Sequence, residues 1–306
     1  MERKRITVVE TCPRDGWEHQ PFVIPTDTKM KYIKKVIAAG ARKLDLVNFA
    51  DPDKVPQMRD AAEVLQETER YIADKNLDAE CMSVAFDPAG LSRALAAGAK
   101  SVQYAFPASE ELNKRWGQTI DKCLENTRDF VQRAGGAKVR VGLLCALGSP
   151  FGDVVTTDKL KYICERALAA GVSAICLPDT AGLASPTHVR NVVTELKKHV
   201  DINLLGVHLH NAYGMGLANA WAAVEAGITT VEGALGGLGS GPFNFIPSNN
   251  NLASEDIVNL LESCGYETGY DLAKMIAAAN EMCEETGAIH SGSLFDKQDC
   301  LLCPRN

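Results

Sequence analysis

Five times along this chain a helix-like stretch runs into a glycine and is followed at once by a short apolar run. Ala38-Ala39-Gly40 precedes residues 44–49, Ala96-Ala97-Gly98 precedes 102–106, and Gly135-Gly136 precedes 139–144. Ala169-Ala170-Gly171 precedes 174–177, and Glu225-Ala226-Gly227 precedes 229–232. A glycine after the last helical turn accepts the left-handed backbone that closes a helix. The runs that follow are rich in Val, Ile and Leu and do not alternate with polar residues, as in parallel strands covered on both faces. Strands at 6–11, 79–85 and 203–209 bring the number to eight. Helical patterns lie between them at 28–39, 91–97, 120–134, 157–170, 188–199 and 217–226.

Eight strand–helix units predict an α/β fold, a single (β/α)8 TIM barrel, over residues 1–270. A helix at 272–285 and a polar tail form a short C-terminal extension over 271–306. An open doubly wound sheet is the alternative, but it calls for a glycine-rich phosphate turn after the first strand, and Cys12-Pro13-Arg14-Asp15-Gly16 is not one.

Active sites of such barrels gather at the carboxyl ends of the strands. The polar residues at those ends are Arg14 and Asp15 after strand one, Asp45 and Asn48 on strand two, Asp179 and Thr180 on strand six, and His208 and His210 on strand seven. Gly236 to Asn244, rich in glycine, follows strand eight. Side chains two apart on a strand point the same way, so His208 and His210 can share one divalent ion. Asp15 is a third ligand if the strand ends converge. Imidazole with oxygen donors suits Mg, Mn or Co, with Zn also open. A guanidinium at Arg14 would stabilise negative charge developing on oxygen, or pair with Asp45 or Glu10. The glycine stretch reads equally as a surface loop or as a close backbone approach to a ligand. One amide of the run Asn249 to Asn251 could complete the metal sphere.

At these residues the chain resembles the 3-hydroxy-3-methylglutaryl-CoA lyase family of metal-dependent lyases and synthases. The similarity rests on Pro13-Arg14-Asp15-Gly16, Phe49-Ala50-Asp51-Pro52 with Val55-Pro56-Gln57-Met58, Leu177-Pro178-Asp179-Thr180, His208-Leu209-His210, Tyr213-Gly214 with Leu217-Ala218-Asn219, and the stretch Asn251 to Asp256. The resemblance implies a TIM barrel in which Asp15, His208, His210 and Asn251 hold the metal. Arg14, Asp45, Asp179 and Glu10 would serve catalysis, and Asn48, Thr180 and Gly241 would meet substrate. It implies a lyase that splits a carbon–carbon bond in a 3-hydroxyacyl-CoA, resembling hydroxymethylglutaryl-CoA or citramalyl-CoA, through an enolate. One departure stands out. The family's loop after strand eight carries a catalytic cysteine, and Gly241 occupies that place here, while Asn211 replaces an aspartate after the second histidine. Alternatives are a CoA-independent aldolase or synthase acting on keto acids, and a catalytically silent relative that binds acyl-CoA.

A formal charge of −7 argues against nucleic acid, whose phosphates need a basic face. No apolar stretch reaches the length of a membrane helix, so no membrane association is expected and a cytoplasmic location follows. A small-molecule substrate and a homo-oligomeric assembly are expected. The ten cysteines read as small buried hydrophobes kept reduced, and Cys300-Leu301-Leu302-Cys303 alone has metal or redox spacing.

Overall fold

The computed structural model describes residues 3–18, 20–239 and 251–295. Eight parallel strands close in sequence order into one barrel. They are β1 (Thr7–Glu10), β2 (Lys43–Asn48), β3 (Glu80–Ala85), β4 (Ser101–Pro107), β5 (Lys138–Leu144), β6 (Ala174–Asp179), β7 (Leu205–Leu209) and β8 (Thr230–Gly233). Closure is direct: β1 pairs with β8 through Thr7 to Glu10 against Thr230 to Gly233. The barrel expected from the sequence is therefore the fold.

Helices cover the outside: α1 (Thr26–Ala38), α2 (Ala61–Asp74), α3 (Pro88–Ala96), α4 (Glu110–Arg115), α5 (Ile120–Arg133), α6 (Thr157–Ala169), α7 (Pro186–Leu196), α8 (Gly216–Ala226), α9 (Ser254–Ser263) and α10 (Leu272–Thr286). Six of these ten start at side-chain caps that satisfy otherwise orphaned N–H groups. Asp87, Ser109, Thr119, Thr156, Ser185 and Asp271 each accept from the backbone N–H three residues on. Gly40 shows why the repeat needs its glycine. Its φ is +117°, and a Cβ there would sit 2.3 Å from the Gly269 carbonyl oxygen. The strand expected from residue 203 starts later, because Asp201 caps a tight turn at Ile202–Leu204 before β7.

Alternation along each strand separates two environments. Tyr104 and Phe106 of β4 face the helices, where the Tyr104 ring lies 4.4 Å from that of Phe130 on α5. Gln103 and Ala105 line the barrel interior instead. Helix α10 packs on α1, and its Met275, Ala279 and Met282 belong to the same buried core as the barrel. Among the described residues eight cysteines are free thiols, all buried except Cys264. Cys300 and Cys303 lie outside the described residues. No described helix is long and apolar enough to cross a membrane.

Candidate active site

The carboxyl ends of the strands open into a cavity of about 370 Å³. Its wall carries Arg14, Asp15, Glu18, Thr180, His208 and His210. They arrive on three pieces of backbone, after β1, after β6 and at the end of β7. Strand β1 ends in a wide helical turn, Cys12–Gly16, begun by Pro13 and held by N–H groups that donate to the Thr11 carbonyl. That turn swings Asp15 and Arg14 over the mouth. His208 and His210 project inward from the end of β7. Asn251 pairs with His210 in a short antiparallel bridge just before α9.

The donor atoms of Asp15, His208 and His210 all lie within 4.8 Å of one another, and all three residues are buried. The Nε2 atoms of the two imidazoles are 3.1 Å apart, and His208 Nε2 is 3.8 Å from Asp15 Oδ2. Asn251 Nδ2 donates to Asp15 Oδ2 at 2.6 Å and to the Leu238 carbonyl at 2.8 Å. Its Oδ1 is buried and has no hydrogen-bond partner among the described residues. Three convergent donors and an orphaned amide oxygen fit a divalent ion. Gly239 lets the backbone pass over this cluster: its φ is +131°, and a Cβ would fall 2.3 Å from Asn251 Nδ2. Gly239 thus serves the close approach of its own backbone to Asn251 and Asp15.

Charge around the cluster is balanced in layers. Burial favours the neutral Asp15 carboxyl, but Arg14 and the two histidines outweigh it and keep its pKa well below the usual range. Arg14 pairs with Asp15, and its Nε donates to Asp45 Oδ2 at 2.8 Å. Asp45 is raised to about 6, chiefly by burial, against the pull of Arg14. On the far side of His208, Nδ1 lies 3.0 Å from Glu232 Oε2, and Glu232 pairs in turn with Arg140. Burial works to raise Glu232, but Arg140 and His208 hold it down at about 2. In the tautomer that donates Nδ1–H to this carboxylate, His208 Nε2 has its lone pair directed to the cluster.

The other residues singled out from sequence sit as follows. Glu10 is buried outside the cavity wall, and its Oε1 accepts from the Cys12 and Leu235 N–H groups. It therefore pins the turns after β1 and β8, and burial pushes it up to about 7. Asp179 uses both oxygens to accept from Leu183 and Ala184 N–H, which shapes the loop after β6, and burial raises it to about 6. Asn48 Nδ2 donates to Glu18 Oε1 at 3.0 Å, and its own Oδ1 accepts from Ala50 N–H. Thr180 Oγ1 accepts from the N–H of Cys145, a non-glycine residue with φ +62°. Gly241 lies outside the described residues.

Sequence reasoning passed over Glu18, Arg140 and Glu232. Each is one charged residue in an otherwise unremarkable stretch. The signal for Glu232 was a carboxylate inside an apolar strand, and it acquires meaning only from the register that sets it beside His208.

A family model described as HMGL-like matches residues 5–282. The mitochondrial hydroxymethylglutaryl-CoA lyase of Bos taurus is 31% identical over 284 residues, covering 92% of this chain and 86% of that protein. The (R)-citramalyl-CoA lyase of Chloroflexus aurantiacus is 33% identical over 284 residues, covering 90% and 89%. Among solved structures, the hydroxymethylglutaryl-CoA lyase of Pseudomonas aeruginosa superposes with a TM-score of 0.89 at 25% identity, covering 98% of this chain and 99% of that one. An HMG-CoA lyase from Acinetobacter baumannii, in complex with coenzyme A and 3-methylmalate, gives 0.87 at 26% identity, covering 99% and 98%.

Proposed function

Because the chain belongs to the HMGL-like family, we propose that its barrel mouth is a divalent-metal site at which a 3-hydroxyacyl-CoA is split at a carbon–carbon bond. The observation that carries this reading is the convergence of Asp15, His208, His210 and the orphaned Asn251 Oδ1 beside the partly buried guanidinium of Arg14. Asp15, His208, His210 and Asn251 would hold a divalent ion, which would supply Lewis acidity when bound.

The protein's own groups account for the rest. Arg14 is fixed by Asp45 and Asp15 before substrate arrives, so its charge opposes the developing enolate oxygen without reorganising. Glu18 is the wall carboxylate that neither belongs to the ligand set nor pairs with a ligand histidine. It is oriented by Asn48 and lies 3.7 Å from Arg14 Nη1. We assign it the proton of the 3-hydroxyl. As that proton leaves, the C2–C3 bond breaks, its electron pair enters the enolate at C2, and C3 becomes a carbonyl. The same carboxyl then returns the proton to C2, which releases acetyl-CoA. This route needs no thiol, in keeping with Gly241 in the sequence. Glu10 and Asp179 act at one remove by holding loop backbone, and Thr180 does so through Cys145.

The relatives named above act on hydroxymethylglutaryl-CoA or on (R)-citramalyl-CoA, and both thioesters fit this scheme. We take the citramalyl-type substrate as the better reading, because the loop cysteine of the resembled hydroxymethylglutaryl-CoA lyases is replaced by Gly241. Release of acetyl-CoA from each thioester, measured with the wild-type chain and with Gly241→Cys, tests the choice. We expect wild type to favour citramalyl-CoA, and the substitution to raise cleavage of hydroxymethylglutaryl-CoA. Efficient wild-type cleavage of hydroxymethylglutaryl-CoA, unchanged in the variant, would contradict the choice.

A further inference from the structure

After its last helix the chain returns to the carboxyl end of β8. Residues 290–293 lie against the tight turn that follows that strand, Leu235–Gly237. Ser291 N–H donates to the Gly236 carbonyl at 2.9 Å, and Ser291 Oγ donates to the Gly237 carbonyl at 3.0 Å. The residues beside Ser291 hold it there. His290 Nδ1 accepts from Gly292 N–H, and His290 Nε2 lies 3.1 Å from Glu255 Oε1, with both side chains almost fully buried. Ser293 N–H donates to Asp256 Oδ2 at 2.7 Å. Glu255 also reaches the turn itself, since its Oε2 accepts from Gly236 N–H. The polar backbone groups of the β8 turn, which burial would otherwise leave without water, are thus met by the C-terminal segment and the start of α9.

The turn leads straight to a metal ligand. Leu238 follows it, and the Leu238 carbonyl accepts from Asn251 Nδ2 at 2.8 Å. With Nδ2 committed to Leu238 and Asp15, Oδ1 is the atom left for an ion. A Cβ at Gly237 would meet Ser291 Oγ at 2.3 Å and the Asn251 backbone carbonyl at 3.2 Å, so tail, turn and ligand segment come together at that glycine. Asn251 belongs to no strand, and its pairing with His210 is a single bridge. The direction of its amide therefore depends on Asp15 and on where the Leu238 carbonyl is held. We propose that Ser291 is a positioning residue for Asn251. By holding the Gly236 and Gly237 carbonyls it fixes the Leu238 carbonyl, and this turns the Asn251 amide oxygen toward the ion. The inference rests on the metal reading above and adds to it a residue of the C-terminal segment.

Calorimetric titration of Mn²⁺ into the chelator-stripped full chain tests it, with Ser291→Ala, Asn251→Ala and the double variant beside wild type. Ser291→Ala should bind Mn²⁺ roughly three- to tenfold more weakly, the range of one hydrogen bond. Asn251→Ala, left with three ligands, should lose more. In the Asn251→Ala background the Ser291 substitution should change nothing further, because no amide remains to be turned. A packing defect spread through the barrel mouth would instead weaken both backgrounds alike. Equal loss in the two backgrounds, or wild-type affinity in Ser291→Ala, overturns the positioning role and leaves the metal reading standing. Wild-type affinity in Asn251→Ala removes Asn251 from the ligand set, and this inference with it. Failure of the wild-type chain to bind Mn²⁺ overturns the metal reading itself.

Discussion

Replacing Glu232 should separate two jobs done by one buried carboxylate. It pairs with Arg140 on one side and receives His208 Nδ1–H on the other, and it is 1% exposed. Glu232→Leu leaves the Arg140 guanidinium buried without its counter-ion, a loss of about 3–5 kcal/mol. The electrostatics lead to a similar figure. Holding the carboxyl at about 2 rather than its ordinary 4.5 corresponds to on the order of 3 kcal/mol at neutral pH. The sign follows from the lowered pKa: this stability is complete above about 4.5 and disappears as pH falls toward 2. Arg140→Met with Glu232→Leu removes both charges, so the double variant should recover most of the stability. It should still bind Mn²⁺ some ten- to a hundredfold more weakly, because His208 has lost the carboxylate that orients it. Chemical denaturation between pH 7 and pH 3 reads the first effect, and calorimetric titration of metal into the stripped protein reads the second. A double variant with wild-type Mn²⁺ affinity would refute the coupling of Glu232 to the metal ligands. A single variant as stable as wild type at pH 7 would refute the ion-pair argument.

Other substitutions test the remaining parts. Arg14→Ala should lower kcat by roughly a hundred- to a thousandfold, the value of one charge aimed at a developing oxyanion, and a near-normal kcat would reduce Arg14 to a structural partner of Asp45. Glu18→Gln should lower kcat by about a hundredfold or more and flatten the limb of the pH–rate profile that reports the base, with metal affinity little changed. An unaltered pH profile in that variant would move the proton transfer elsewhere. Gly40→Ala should cost about 1–3 kcal/mol, since its backbone lies at φ +117° and its Cβ would meet the Gly269 carbonyl. An unchanged melting temperature would contradict this.

The barrel was readable because its signals are local. A helix end, a left-handed glycine and a buried parallel strand each leave a mark within a few residues, and five of the eight units repeat it. Helices α2, α4 and α9 were not among the patterns read from the sequence, nor was the turn of three residues before β7 that Asp201 caps. The same division runs through the site. The i, i+2 spacing on an inward strand was enough to mark His208 and His210 as neighbours. Asp15 was read as a third ligand from the expected convergence of the strand ends, resemblance singled out Asn251 from its asparagine run, and the structure brings all four together. Glu232 and Arg140 could not be picked out, because their significance depends on the register that sets β8 beside β7 and on a charge facing across the barrel. Glu10 and Asp179 carry the opposite lesson. A carboxylate at a strand end looks the same in sequence whether it faces substrate or holds loop N–H groups, and only the hydrogen bonds distinguish the two.

The central claim is that the mouth of this barrel uses a bound divalent ion, with Arg14, to release acetyl-CoA from a 3-hydroxyacyl-CoA. Its most direct test is acetyl-CoA release from citramalyl-CoA by chelator-stripped protein, before and after readdition of Mg²⁺ or Mn²⁺, with His208→Ala treated alongside. The account predicts no release when stripped, recovery on readdition in wild type, and no recovery in the folded His208→Ala chain. Release that survives stripping, or recovery that is equal in the variant, would contradict it.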